Sequence, residues 1–172
     1  MRIFKEEQKF GQPLIYIGLS IATIVVFSPI IKEWNTISSL PLTKQLSSLS
    51  GVLIVGLVAL LFLFLKLRTR IDENGISFKF TPFHFKSIVI NWKEVDNAYL
   101  RKYNAISEYG GWGIKGGIPW AKGNGRAYNV KGNVGLQIEL LNGKRILIGT
   151  QKKHEVDAVL KTYATKIKTH EI

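Results

Sequence analysis

Four cations, Lys115, Lys122, Arg126 and Lys131, fall in one glycine-rich stretch, interleaved with Trp112, Trp120 and Tyr128. Flexible ammonium and guanidinium groups suit phosphate oxygens, and tryptophan suits the headgroup level of a bilayer. Lys115, Lys122, Arg126 and Lys131, with Trp120 beside them, are therefore the candidate contacts for anionic lipid headgroups. Each such cation near an anionic leaflet contributes about 1 kcal/mol. A plainer reading stays open, in which the lysines solvate a surface loop and the aromatics pack inside. The same residue types also serve single-stranded nucleic acid on small barrels. The long apolar segments of this chain argue against that partner, and no nucleic acid is expected.

Other chemistry finds little support. Gly111-Trp112-Gly113-Ile114-Lys115-Gly116 matches G-x-G-x-x-G. The dinucleotide fingerprint needs a helix directly after its glycines, to hold a pyrophosphate at the helix N-terminus. Here Gly117, Ile118 and Pro119 follow instead. Glycines in a curved sheet serve bulges and tight turns equally well. His84, His154 and His170 share no metal-ligand spacing. Glu94, Asp96, Glu108 and Glu139 are scattered, with no acid–base pairing visible in their spacing. Cysteine is absent, which removes disulfides, thiolate metal sites and thiol catalysis. No catalytic, cofactor or metal residue is expected, and no enzyme.

The elements that must carry the basic tract begin with two uncharged runs. Residues 11–31 and 45–65 each hold 21 residues without a charge. A helix rising about 1.5 Å per residue crosses a hydrocarbon core of roughly 30 Å in that length. Both runs are apolar all round, unlike the core helix of a small soluble domain. The first is longer than a signal-peptide core and lacks an A-x-A-like site after it, so it reads as a retained span. Pro13 suits a first helical turn, and Pro29 is expected to kink or end the helix. Gly18, Ser20, Ala22, Gly51, Gly56 and Ala59 would allow close contact between the two helices. The connecting residues 32–44 carry two lysines and the interfacial residue Trp34. Arg2, Lys5 and Lys9 lie before the first run, and Lys66, Arg68 and Arg70 follow the second. The positive-inside rule then places both termini in the cytoplasm and the protein in the cell membrane as a multi-pass chain.

The remaining hundred or so residues are basic too, with 19 Lys and Arg against 9 Asp and Glu over 66–172, a net +10 of the chain's +12. Alternation predicts strands at 67–71, 76–80, 87–92, 98–103, 135–141 and 145–149. A fifth strand with irregular edges is expected at 110–115, a short extended piece at 127–130, a loop at 116–125 and one helical turn or tight bend at 92–95. Asn74-Gly75 and Asn142-Gly143 signal type I′ hairpins. Val156, Val159, Leu160, Tyr163 and Ile167 recur at helical spacing after Thr150, an expected N-cap. About seven mostly antiparallel strands and one amphipathic helix make a small barrel with a plug.

Particular residues carry a resemblance. Asp72-Glu73-Asn74-Gly75-Ile76, Tyr109-Gly110-Gly111-Trp112-Gly113-Ile114, Ala127-Tyr128-Asn129-Val130, Gly132, Gly135 and Ile148-Gly149-Thr150-Gln151 are similar to pieces of the pleckstrin-homology (PH) fold. More closely, the chain resembles small bacterial membrane proteins that carry a PH-like domain behind two transmembrane helices, over about residues 60–165. The resemblance implies an α+β chain, with a transmembrane hairpin at 1–66 (helices about 12–31 and 46–66). A seven-stranded antiparallel barrel capped by a helix would occupy 67–172. It carries over no catalytic residue. The basic pattern between the first two strands of phosphoinositide-binding members is replaced by the acidic turn Asp72-Glu73. The expected function is a membrane-anchored binding or scaffold module, contacting anionic lipid headgroups, a membrane-protein partner or itself. The alternative is an assembly subunit of a membrane complex with no lipid recognition of its own.

Overall fold

The computed structural model describes residues 2–11, 13–116 and 125–168. Trp120 and Lys122 lie outside the described residues. The chain forms two compact units: Met1–Phe10 with Leu65–Ile172, and Gly11–Phe64.

In the second unit, helix α1 (Pro13–Lys32) and helix α3 (Leu42–Phe64) flank the short helix α2 (Trp34–Ser38). Both long helices are long and apolar enough to cross a membrane. Ile24, Val25, Leu53 and Leu57 stand exposed on them. Helix α1 runs three residues past Pro29 before it ends. Among the small residues expected to allow close packing, Gly51 does so. A Cβ there would lie 3.3 Å from Val26 Cγ1, whereas Gly18 and Gly56 face open space. The 32–44 connection contains α2, a helical turn that the sequence reading did not foresee.

The first unit begins with strand β1 (Phe4–Lys9), followed after the helices by β2 (Lys66–Asp72), β3 (Gly75–Thr81) and β4 (Ile88–Asn91). These form one antiparallel sheet in the order β1-β2-β3-β4. Then come β5 (Val95–Lys102), helix α4 (Ala105–Tyr109), β6 (Gly113–Lys115), β7 (Arg126–Asn129), β8 (Val134–Leu140) and β9 (Arg145–Gly149). The second sheet has the order β5-β8-β9-β7-β6, antiparallel except where β7 runs parallel to β9. Helix α5 (Lys153–Lys168) closes the unit.

The expected seven-stranded closed barrel is corrected here: the described residues hold nine strands in two separate sheets. A single 3-10 turn, Trp92–Glu94, ends the first ladder. Glu94 caps that turn through the Asn91 backbone and side-chain amides, and the Trp92 indole N–H donates to Asp72 O at 2.8 Å. Among the described residues β4 thus pairs on one edge alone, with β3, and β5 starts a new ladder against β8. Helix α5 lies on β5, with Val156, Val159, Leu160 and Tyr163 buried as its stripe predicts.

Other local expectations shift. Helix α5 starts at Lys153, so Thr150 is not its N-cap; the Thr150 hydroxyl accepts from Lys152 N and donates to Glu6. Neither Asn-Gly turn is type I′, because no described non-glycine residue has positive φ. Asp72 sits opposite Gly75, which centres the first turn on Glu73 and Asn74. At the second, the Leu140 N–H donates to Lys144 O across a three-residue loop, with Gly143 at φ 76°. That is a type I turn followed by a left-handed residue.

The unforeseen strand β1 joins the two sheets. It pairs with β2 along its whole length, from Phe4 opposite Ile71 to Lys9 opposite Lys66. Its inward residues are Phe4, Glu6 and Gln8. Glu6 is only 7 % exposed; its carboxylate accepts from Thr150 Oγ1 at 2.7 Å and Gln151 N at 2.8 Å. The Gln8 amide donates to Gly149 O at 2.6 Å. A buried carboxylate is tolerable because donors satisfy it.

Three outcomes test this role. Residues 1–10 joined to 65–172 by a short glycine-rich turn are expected to melt cooperatively in circular dichroism, because Lys9 and Lys66 already face each other. Residues 65–172 alone are expected to lose the cooperative transition. In the full chain, Glu6→Ala is expected to cost about 1–3 kcal/mol in denaturant unfolding, the cost of orphaning its buried donors.

Candidate functional site

A concavity with charged lining lies between the two sheets of the strand-rich unit. It is an open groove of about 820 Å³. One wall is β4, through Ile88, Val89 and Ile90; the other is β7 and β9, through Arg126, Tyr128, Arg145 and Ile146. Phe78 and Tyr128 meet there with ring centroids 4.5 Å apart. The turn after β8 adds Asn142, Gly143 and Lys144, and Glu94 is the acidic lining residue.

A long-range pairing sets Arg126 in the groove wall. Arg126 begins β7 and lies opposite Ile146 in the parallel ladder, one residue from Arg145. Gly125 permits this approach: it has φ 72°, and a Cβ there would collide with the Arg145 carbonyl. Arg145 is held at 3.4 Å from Glu139. Among the described residues, no carboxylate forms an ion pair with Arg126 or Lys144. An apolar floor with cations at its rim suits a ligand with an anionic head, because low-dielectric walls strengthen the field of the charges.

The expected site residues are only partly gathered. Arg126 is in the groove. Lys115 lies opposite Ala127, so strand alternation puts it on the other face of the sheet from Arg126. Lys131 follows the far end of β7, where its carbonyl accepts from Gln151 Nε2. Trp120 and Lys122 are outside the described residues. Lys144 and Arg145, which the sequence reading passed over, also line the groove, but the register that pairs Arg126 with Ile146 turns the Arg145 side chain to the Lys115 face, against Glu139. Their only local signal is two cations directly after Asn142-Gly143.

Behind the sheet, a second polar group holds α4. Arg101 donates to Gln137 Oε1 at 2.9 Å, Glu108 Oε2 at 2.7 Å and the Tyr109 hydroxyl at 2.9 Å. Asn104 caps α4 by accepting from Ile106 N and Ser107 N. These contacts anchor a short helix over the cluster of Tyr103, Ala105, Tyr109, Ala127 and Leu147. Burial pushes the Tyr103 hydroxyl up to about 12. His84, whose ring lies 5.6 Å from that of Tyr128, is pushed down by desolvation, and its Nδ1 accepts from Phe80 N. No group of three or more His, Asp or Glu among the described residues could hold a metal ion.

Gly125→Ala is expected to destabilise by more than about 1 kcal/mol, since both its φ and the Arg145 carbonyl oppose a methyl group. Thermal unfolding measures this. Tyr103 sets an alkaline limit. The unfolded side chain loses its proton near the ordinary value of about 10, and the folded one keeps it to about 12. Its contribution is therefore complete below pH 10 and lost as pH rises to 12. Tyr103→Phe is expected to flatten the fall in stability across that window, read by denaturant midpoints at each pH.

No family model matches this chain, and no curated protein and no solved structure matches it.

Proposed function

We propose that this protein is a membrane-anchored binding module of PH-like architecture. In this reading α1 and α3 cross the cell membrane, the strand-rich unit stands at its cytoplasmic face, and the groove takes a phosphate-bearing lipid headgroup. The observation that carries the proposal is that Arg126 and Lys144 line one groove with the apolar residues Ile88, Ile90 and Ile146. It is supported by two helices of membrane-spanning length and composition in the same chain.

The sheet supports the topology. The chain leaves β1 at Lys9 and returns at Lys66, which face each other in one ladder. A hairpin inserted between adjacent strand ends enters and leaves the bilayer on one side. Lys5 opposite Arg70, and Lys9 opposite Lys66, concentrate positive charge at those strands, with Glu7 on Arg68 at 2.7 Å as partial compensation. Basic flanks favour the cytoplasmic side. Two mostly antiparallel sheets followed by one amphipathic helix support the PH-like reading. The open ladders and the helices placed between β1 and β2 set it apart from a plain closed barrel.

The test uses the full chain in vesicles of neutral lipid and of graded anionic content. Hydrogen exchange of Arg126–Asn129 and of residues 141–145 is expected to slow as anionic lipid rises and to recover with salt. At about 1 kcal/mol per cation, Arg126→Ala and Lys144→Ala together are expected to weaken binding roughly thirtyfold. Soluble inorganic phosphate over neutral vesicles separates a free anion from a lipid headgroup. Equal exchange in neutral and anionic vesicles removes lipid recognition and leaves an assembly role.

A further inference from the structure

The loop between β3 and β4, residues 82–87, presents its apolar side chains outward. Phe85 is 93 % exposed and Phe83 56 %. They are not loose ends. His84 N donates to Phe80 O at 2.9 Å, Phe80 N donates to His84 Nδ1 at 3.2 Å, and Lys79 Nζ donates to Phe85 O at 2.8 Å. The loop's own hydrogen bonds therefore hold it in a shape that leaves both rings outside the core.

Its place in the sheet says what covers it. Lys9 faces Lys66, and Lys66 faces Thr81, so three strands end in one row. From the first two the chain runs into α1 and out of α3; from the third it runs into this loop. At strand spacings near 4.8 Å, the loop starts about 5 Å from the strand end that follows α3 and about 10 Å from the one that precedes α1. A continuous aromatic row marks the same end, with Phe10–Phe80 and Phe80–Phe83 centroids both at 6.3 Å. Lys79 and Lys86 flank the rings. Apolar rings with neighbouring lysines are the composition of a surface that lies in the headgroup–acyl boundary.

We infer that Phe83 and Phe85 insert into the boundary layer of the bilayer that α1 and α3 cross, so that the loop is a third membrane attachment fixing the tilt of the strand-rich unit. This rests on the reading of α1 and α3 as membrane-spanning, and the test separates the two.

The chain has no cysteine, so each single substitution supplies one labelling site. The full-length protein in vesicles carries an environment-sensitive fluorophore at Phe85→Cys, Leu53→Cys or Asn74→Cys, and the lipids carry quenchers at shallow or deep positions. Leu53 lies within α3. Asn74 lies in the turn at the opposite end of β2, about 20 Å away along the strand. The expected result is loss of emission at Phe85 with shallow quenchers, loss at Leu53 with deep ones, and none at Asn74. Quenching at Leu53 without quenching at Phe85 overturns the inference and leaves the anchor standing. A blue-shifted Phe85 probe that lipid quenchers do not reach overturns it in favour of a protein partner or second copy. No quenching at Leu53 overturns the spanning reading and the inference with it. Equal quenching at Asn74 and Phe85 overturns a localised attachment.

Discussion

The pairing of β1 with β2 is the constraint on which the strand-rich unit depends. Two segments separated by the whole of α1, α2 and α3 form one antiparallel ladder, Phe4 to Ile71 at one end and Lys9 to Lys66 at the other. Closing a loop that long costs conformational entropy that grows only slowly with length. A helical hairpin already folded in a bilayer would lower that cost further, because its ends are brought together beforehand. The pairing also supplies the first sheet with its outer strand and places Glu6 against Thr150 and Gln151 of the second-sheet region. Without β1, the two sheets lose the polar contacts of Glu6 and Gln8.

Much of the remaining architecture follows from ordinary patterning. Alternation in Gly75–Thr81 and Val134–Leu140 gave strands where it pointed to strands, and the stripe from Val156 to Tyr163 gave a helix with that face buried. Both uncharged runs became long helices. Strand β1 escaped notice because its inward positions after Phe4 are Glu6 and Gln8, so the residues that face the core look like solvent-facing ones. Only their partners 140 or more residues away make that burial affordable, and a local window cannot see them. Helix α4 carried a readable cap in Asn104, but the short stretch before the glycines was passed over.

The candidate site divides in the same way. Composition picked out Arg126, yet composition cannot tell which face of a strand a residue occupies. The register does, and it sends Lys115 and Arg145 to the face opposite Arg126, while the turn before β9 adds Lys144 to the groove. Parallel pairing between strands that are not consecutive is a tertiary fact with no local signature. The groove therefore owes its charge to topology more than to the density of basic residues in any one segment.

The most direct measurement of the central claim is native mass spectrometry of the full-length protein released from bilayers that mix neutral and anionic lipids. The account predicts that anionic lipid is retained well above its share of the bilayer, and that Arg126→Ala with Lys144→Ala removes this enrichment while the protein stays folded. Retention of lipids in their bilayer proportions, or an enrichment that survives the double substitution, would contradict it.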